Sequence, residues 1–316
     1  MLPLRIQLLG GLRLYRGPDP LPAFPTQRSK GLFAFLVLNR ARRHPRDVLL
    51  GRFWGETPQE VARKNLRTDL WRIRSVVEPH GVQRGSCLSM GGDEVAFNAQ
   101  EHWLDVHEFE AALDLAGPDR GAPLTDGQAA HIRAAVDLYG GDLLEGVYDD
   151  WCLFERERLR LRYLTALERL MRHHQARGQW VDAAFCGQCL LGHDPLREHV
   201  HRELMRSYAQ MGDPAAALRQ FDHCAALLLR ELEVQPVEET VALRDGIRAG
   251  RHRGPPSSSP PPLPFPLPEP SGEGTGPVLE QLHLAVRWLE DAGEQLRRVI
   301  RDVETASSAP TRRSPA

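Results

Sequence analysis

Short strand-like runs, three helical segments and a glycine-turned hairpin fill residues 1–98, and a 34-residue helical period runs through the region that follows. Together they predict an α+β winged helix-turn-helix followed by an all-α, tetratricopeptide-like helical repeat domain. A disordered Pro-rich linker and a C-terminal amphipathic helix complete the expected fold. The domain bounds read as 1–98 for the winged helix, 102–250 for the repeats, 251–277 for the linker, 278–305 for the amphipathic helix and 306–316 for a disordered tail.

Leu4–Leu14 mixes apolar residues with the pair Gly10-Gly11 and reads as two short strands or one bulged strand, and Leu21–Phe24 reads as a further strand. Thr26 is placed to cap a helix over Ser29–Asn39, where Leu32, Phe33, Leu36 and Val37 repeat at helical spacing. A second short helix spans Arg46–Trp54, with Val48, Leu49 and Phe53 inward. Thr57 then reads as the cap of a third helix, Pro58 as its first turn and Glu60 as its capping-box partner, with an end near Val77 before Pro79. Cys87–Met90 and Glu94–Phe97, parted by Gly91-Gly92-Asp93, read as a hairpin.

From Trp103 onward the pattern is almost wholly helical. Leu170 recurs as Leu204, Gly178 as Gly212 and Ala183 as Ala217, and residues 129–172 supply a further hairpin. Each unit of this length leaves an apolar face that a neighbouring unit must cover, so at least three hairpins are expected. After Gly250, Pro255–Pro262 opens a segment too rich in Pro to build a core. Beyond it Leu279, Leu282, Val286, Leu289, Gly293, Leu296, Ile300 and Val303 form an a/d seam that calls for a partner. Three arrangements fit that seam: a homodimer, docking on another protein, or folding back onto the repeats.

Charge is unevenly spread. Residues 1–98 hold 16 Lys and Arg against 8 Asp and Glu, whereas the whole chain has a formal net charge of -2. A basic first domain joined to an acidic remainder points to a polyanion for the first part only. Met1–Gly10 lacks the apolar core of a signal peptide, no run is long enough for a membrane span, and the five cysteines read as reduced thiols. The expected location is therefore cytoplasmic and nucleoid-associated, without a membrane partner. Cys186 and Cys189 lie inside a helical repeat with no second cysteine pair, so no metal site is expected, no cofactor is implied, and no catalytic constellation stands out.

The third helix carries the functional signal. Leu66, Leu70, Ile73 and Val77 make its buried stripe, and Lys64, Arg67, Thr68, Trp71, Arg72, Arg74 and Ser75 lie on the other side. An α-helix fits the major groove of double-stranded DNA, where Arg reads guanine edges and flanking cations hold phosphates. In this reading Arg67, Thr68 and Trp71 probe bases, while Lys64, Arg72, Arg74 and Arg84 grip phosphate or brace the contact. Arg28 and Lys30 stand at the start of the first helix, where an amino terminus favours phosphate. The Arg40–Arg46 cluster reads equally as a phosphate contact or a solvated turn.

Several stretches carry a family resemblance. They include Leu8–Leu12, Lys30–Asn39, Asn65–Arg74, Asp105-Val106 with Phe109-Glu110, Gly140–Gly146 before Asp150-Trp151, Glu155–Leu159, Asp194–Glu198 and Arg230–Pro236. Residues 1–250 resemble the Streptomyces antibiotic regulatory protein family, a response-regulator-type winged helix fused to a bacterial transcriptional activation domain. The resemblance implies a promoter-binding activator that reads direct repeats and engages RNA polymerase subunits or sigma factor. Two departures stand out. The family's Gly-Tyr-x-Leu wing is matched here by Gly85-Ser86-Cys87-Leu88, and no Gly-x-x-x-x-Gly-Lys-Ser/Thr loop is present. The alternative is a protein-interaction scaffold whose winged helix does not bind DNA.

Overall fold

The computed structural model describes residues 3–98, 102–119 and 121–251. The linker, the 279–303 seam and the tail lie outside the described residues.

Two small sheets and three helices make the first part of the chain. Strands β1 (Leu4–Gln7) and β2 (Arg13–Arg16) pair antiparallel, turning through Gly10-Gly11, and β3 (Asp19–Pro20) pairs with β2. Helices α1 (Gln27–Leu38), α2 (Arg46–Trp54) and α3 (Gln59–Val77) follow, with the two-residue strand β4 (His44–Pro45) between the first two. The hairpin of β5 (Leu88–Ser89) and β6 (Glu94–Phe97) joins β4 in the order β4-β6-β5. Thr26 caps α1 as its residue type predicts, accepting the Ser29 N–H at 3.0 Å. The core gathers Leu32, Phe33 and Leu36 of α1, Leu49 of α2, Leu66, Leu70 and Ile73 of α3 and Leu88 of the hairpin, all fully buried.

Five expectations are corrected. Val48 of α2, expected inward beside Leu49 and Phe53, is exposed. Leu21–Phe24 is not a strand, because Pro20, Pro22 and Pro25 remove donors and only the Leu21 N–H reaches back, to Leu14 O at 2.8 Å. The Thr57 capping box does not form. Pro58 is extended (φ -52°, ψ 136°) and becomes the N-cap, so α3 starts at Gln59 and Glu60 turns to Arg63 at 3.5 Å. The hairpin tip lies at Met90–Asp93, and Gly85–Cys87 belong to the preceding loop, held by Glu78. Trp103 is not helical. It sits in β7 (His102–Leu104), which pairs parallel with β1 as the edge of a sheet ordered β3-β2-β1-β7.

The helical part comprises α4 (Asp105–Ala116), α5 (Asp126–Leu138), α6 (Asp150–Ala176), α7 (Trp180–His193), α8 (Glu198–Gln210), α9 (Pro214–Leu232) and α10 (Glu238–Arg248). Helices α4/α5, α6/α7 and α8/α9 pack as hairpins, and α10 closes the row against α8 and α9. The 34-residue period is structural. Gly178 (φ 70°) and Gly212 (φ 80°) turn the second and third hairpins, and the paired positions Leu170/Leu204 and Ala183/Ala217 are all buried.

The segment between α5 and α6 ties the helices to the first sheet. Gly10 N donates to Asp142 O, Leu144 N to Leu8 O and Glu145 N to Gly10 O, each at 2.9 Å. Gly141 is required there, since a Cβ would come within 3.2 Å of Gly10 Cα at a φ of 152°. Arg156 holds the strap from below, donating to the carbonyls of Leu143, Leu144 and Val147 at 2.8, 2.9 and 2.7 Å. Asp105 accepts the Leu8 and Leu9 N–H groups at 2.7 and 2.8 Å. Trp151 at the start of α6 meets Phe35 and Phe53 edge-on, at centroid distances of 5.4 and 6.4 Å.

Candidate nucleic-acid interface

Helix α3 is anchored on one side and open on the other. Ala62, Leu66, Asp69, Leu70, Ile73, Val76 and Val77 are buried, whereas Lys64, Arg67, Thr68, Trp71 and Ser75 are exposed. Trp71 is 66% exposed, which is unusual for so large an apolar ring and leaves it free to stack or wedge. The helix is fixed at its C-terminal end and near its middle. Arg16 Nη2 donates to Val77 O at 2.6 Å, satisfying a last-turn carbonyl. Near its middle Asp69 accepts the Ser29 hydroxyl at 2.6 Å and Arg72 Nη1 at 3.0 Å, joining α3 to the start of α1.

Glu78, just past the helix, organises the hairpin side. Its buried carboxylate accepts the N–H groups of Gly85, Cys87 and Leu88 at 2.8–2.9 Å. Arg74 completes this brace, donating through Nη2 to Leu88 O at 3.0 Å and lying with its Nε 3.2 Å from Glu78, an ion pair without hydrogen-bond alignment.

The nine residues singled out from the sequence divide by partner. Lys64, Arg67, Thr68 and Trp71 share the open face, where Thr68 Oγ1 donates to Lys64 O at 3.0 Å. Arg84 is exposed and lines a concavity on one flank of Trp71, beside His80. On the other flank Trp71 and Arg67 line a groove completed by Arg46 of α2 and by Met90 and Asp93 of the hairpin tip. Arg72 and Arg74 are engaged by Asp69, Glu78 and Leu88 O. Arg28 and Lys30 face the strap instead. Arg28 lies 3.5 Å from Asp149, and Lys30 Nζ reaches Glu145 O at 3.5 Å.

Two further cations of this groove, Arg46 and Arg63, lie outside those nine. Arg63 was legible in principle, because it precedes Arg67 by one helical turn on the same face. For Arg46 the sequence left a phosphate contact and a solvated turn equally open, since its place beside the hairpin tip depends on a long-range pairing of β4 with β6.

Among the described residues no group of three or more His, Cys, Asp or Glu is arranged to hold a metal ion. Burial, with Cys189 beside it, pushes the Cys186 thiol up to about 12, far from the thiolate that metal binding needs. No helix among the described residues is long and apolar enough to cross a membrane.

Residues 104–248 match the family model of the bacterial transcriptional activator domain. Over 237 residues the chain is 29% identical to the regulatory protein AfsR of Streptomyces coelicolor, covering 74% of this chain and 23% of that protein. It is 22% identical over 250 residues to the transcriptional regulatory protein EmbR of Mycobacterium tuberculosis, covering 76% and 62%. The solved structure of Mycobacterium tuberculosis EmbR in complex with a low affinity phosphopeptide superposes with a TM-score of 0.63 at 21% identity, over 79% of this chain and 66% of that one. That similarity is one of fold. The chain spans about a quarter of the length of its AfsR relatives.

Proposed function

We propose that this chain, similar to winged-helix regulators that carry a bacterial transcriptional activator domain, is a Streptomyces antibiotic regulatory protein-like regulator that binds double-stranded DNA sequence-specifically and activates transcription. Its role is regulatory rather than catalytic, in keeping with the names of its relatives. The observation that carries the proposal is the face of α3 on which Lys64, Arg67, Thr68 and Trp71 stand exposed while the opposite face is buried. That face enters the major groove. Arg67 donates to guanine edges, and Thr68 and Trp71 contact thymine methyl groups or sugar. Lys64 and Arg84 bind phosphates on either side of the reading residues. Arg72 and Arg74 act by bracing α3 against α1 and the hairpin, and Arg28 and Lys30 add charge at the start of α1.

The repeat domain engages RNA polymerase, through a subunit or sigma factor, or another protein, with its helical surface. Residues 279–303 supply a homodimer contact or a helical docking partner. The test of the central reading is retention of the full chain on heparin and on random duplex DNA, followed by a salt gradient. A regulator elutes late and at a salt concentration set by its phosphate contacts. A chain that passes through both columns unretained is an interaction scaffold, and the proposal fails.

A further inference from the structure

On the DNA reading above, on which the following rests, the hairpin side of the groove needs a cation of its own. The tip of the β5–β6 hairpin, Met90-Gly91-Gly92-Asp93, holds no Lys or Arg and one carboxylate. Asp93 lines the groove shared with Arg67 and Trp71, so a polyanion lying there meets a like charge. Arg46 opens α2 directly beside that tip, and its backbone N–H donates to Asp93 O at 2.9 Å. Its side chain lines the same groove and has no ion pair or hydrogen bond among the described residues.

Three neighbouring arginines are already engaged. Arg43 lies 4.0 Å from Glu94, Arg52 stacks 4.9 Å over Phe35, and Arg63 lies 3.5 Å from Glu60. Arg46 thus resembles Arg67 in being uncommitted, yet it approaches the groove from a different element. We propose that Arg46 is a phosphate contact. It holds the DNA backbone where α2 meets the hairpin, offsets Asp93, and gives that side of the groove the cation its tip lacks. The guanidinium fork suits a phosphate oxygen pair, and such a contact is independent of sequence.

The test measures binding of the full chain to a random duplex of about 30 base pairs, three helical turns, across a salt series. Arg46→Ala and Arg46→Gln, the second keeping part of the aliphatic stem, are expected to bind several-fold more weakly at low salt. The slope of log affinity against log salt becomes shallower by about 0.9, the loss of one phosphate contact. Arg46→Lys keeps most of the slope. Melting curves confirm which variants are folded. If wild type shows a steep slope that the folded Ala or Gln variant leaves unchanged, the role of Arg46 is overturned and the DNA reading stands. If wild type itself shows no salt-dependent binding, the DNA reading falls and the role of Arg46 falls with it.

Discussion

Ser29 donates its hydroxyl to Asp69 at 2.6 Å inside the buried seam between α1 and α3. Asp69 is 5% exposed, and the oxygen that receives Ser29 also receives Arg72. With Thr26 Oγ1 donating to the same oxygen at 3.5 Å, a buried carboxylate held by three donors fixes the rotation of α3, and with it the direction in which Arg67 and Trp71 point. Asp69→Ala takes the acceptor from the Arg72 guanidinium and leaves the Ser29 hydroxyl with Thr26 alone, and is expected to cost about 2 kcal/mol. Ser29→Ala removes one neutral donor and is expected to cost about 1 kcal/mol. Urea unfolding of both variants checks the order. A smaller loss for Asp69→Ala than for Ser29→Ala would contradict the arrangement.

Arg67 is the test of base reading. Against a duplex selected from a random library by the wild-type chain, Arg67→Ala is expected to lose about 1–3 kcal/mol of binding. Its loss on unselected duplex is smaller, so the ratio between the two narrows. Titrations at one fixed salt concentration measure that ratio. An unchanged ratio removes Arg67 from the reading set.

Trp151 bridges the two parts of the chain through Phe35 and Phe53. Trp151→Ala opens a cavity at that junction. The ring is half-buried, so the expected loss is about 3 kcal/mol, the low end for a large aromatic. Denaturant curves followed by far-ultraviolet circular dichroism are expected to shift to lower midpoint. No shift would mean that the ring contributes nothing to the seam.

Acidification should weaken the repeat domain. Burial lowers the pKa of His201, and the neighbouring His223 adds to the effect. The neutral ring is satisfied on both sides, lying 2.9 Å from Pro195 O through Nε2 and 2.6 Å from Gln220 Nε2 through Nδ1. Those partners assign the proton to Nε2. Because the folded pKa lies below the unfolded one, the stability from this group is present above the unfolded value and is lost as pH falls through the folded value. His173 and His193 are lowered by burial too and add to the same trend. The melting temperature is expected to fall between about pH 7 and about pH 5, the range in which histidine titrates. His201→Gln removes part of that slope. A variant as steep as wild type would assign the slope to the other groups.

Much of this architecture was legible because it rests on local rules. Thr26 capped its helix, the Gly91-Gly92-Asp93 turn made its hairpin, and Gly178 and Gly212 marked a true period. The exposed side of α3 followed from the spacing of Leu66, Leu70 and Ile73. What escaped depended on distant partners. Strand β7 is three residues long, and only its pairing with β1 makes it a strand. Arg74 looked like its exposed neighbours until Glu78 and Leu88 drew it inward. Thr57 had the residue type of a cap, but the extended backbone of Pro58 moved the helix start past it.

The strap of residues 139–149, between α5 and α6, settles how the protein can be taken apart. A cut at residue 98, where composition suggests a seam, would strip the amino-terminal sheet of its edge strand β7. It would also take from Leu8 and Leu9 the carboxylate they share, and from Phe35 its indole neighbour. The smallest fragment that keeps the reading head intact must extend past Arg156, into the first long helix. Head and scaffold are therefore one mechanical piece: whatever grips the helices also orients the groove-facing side.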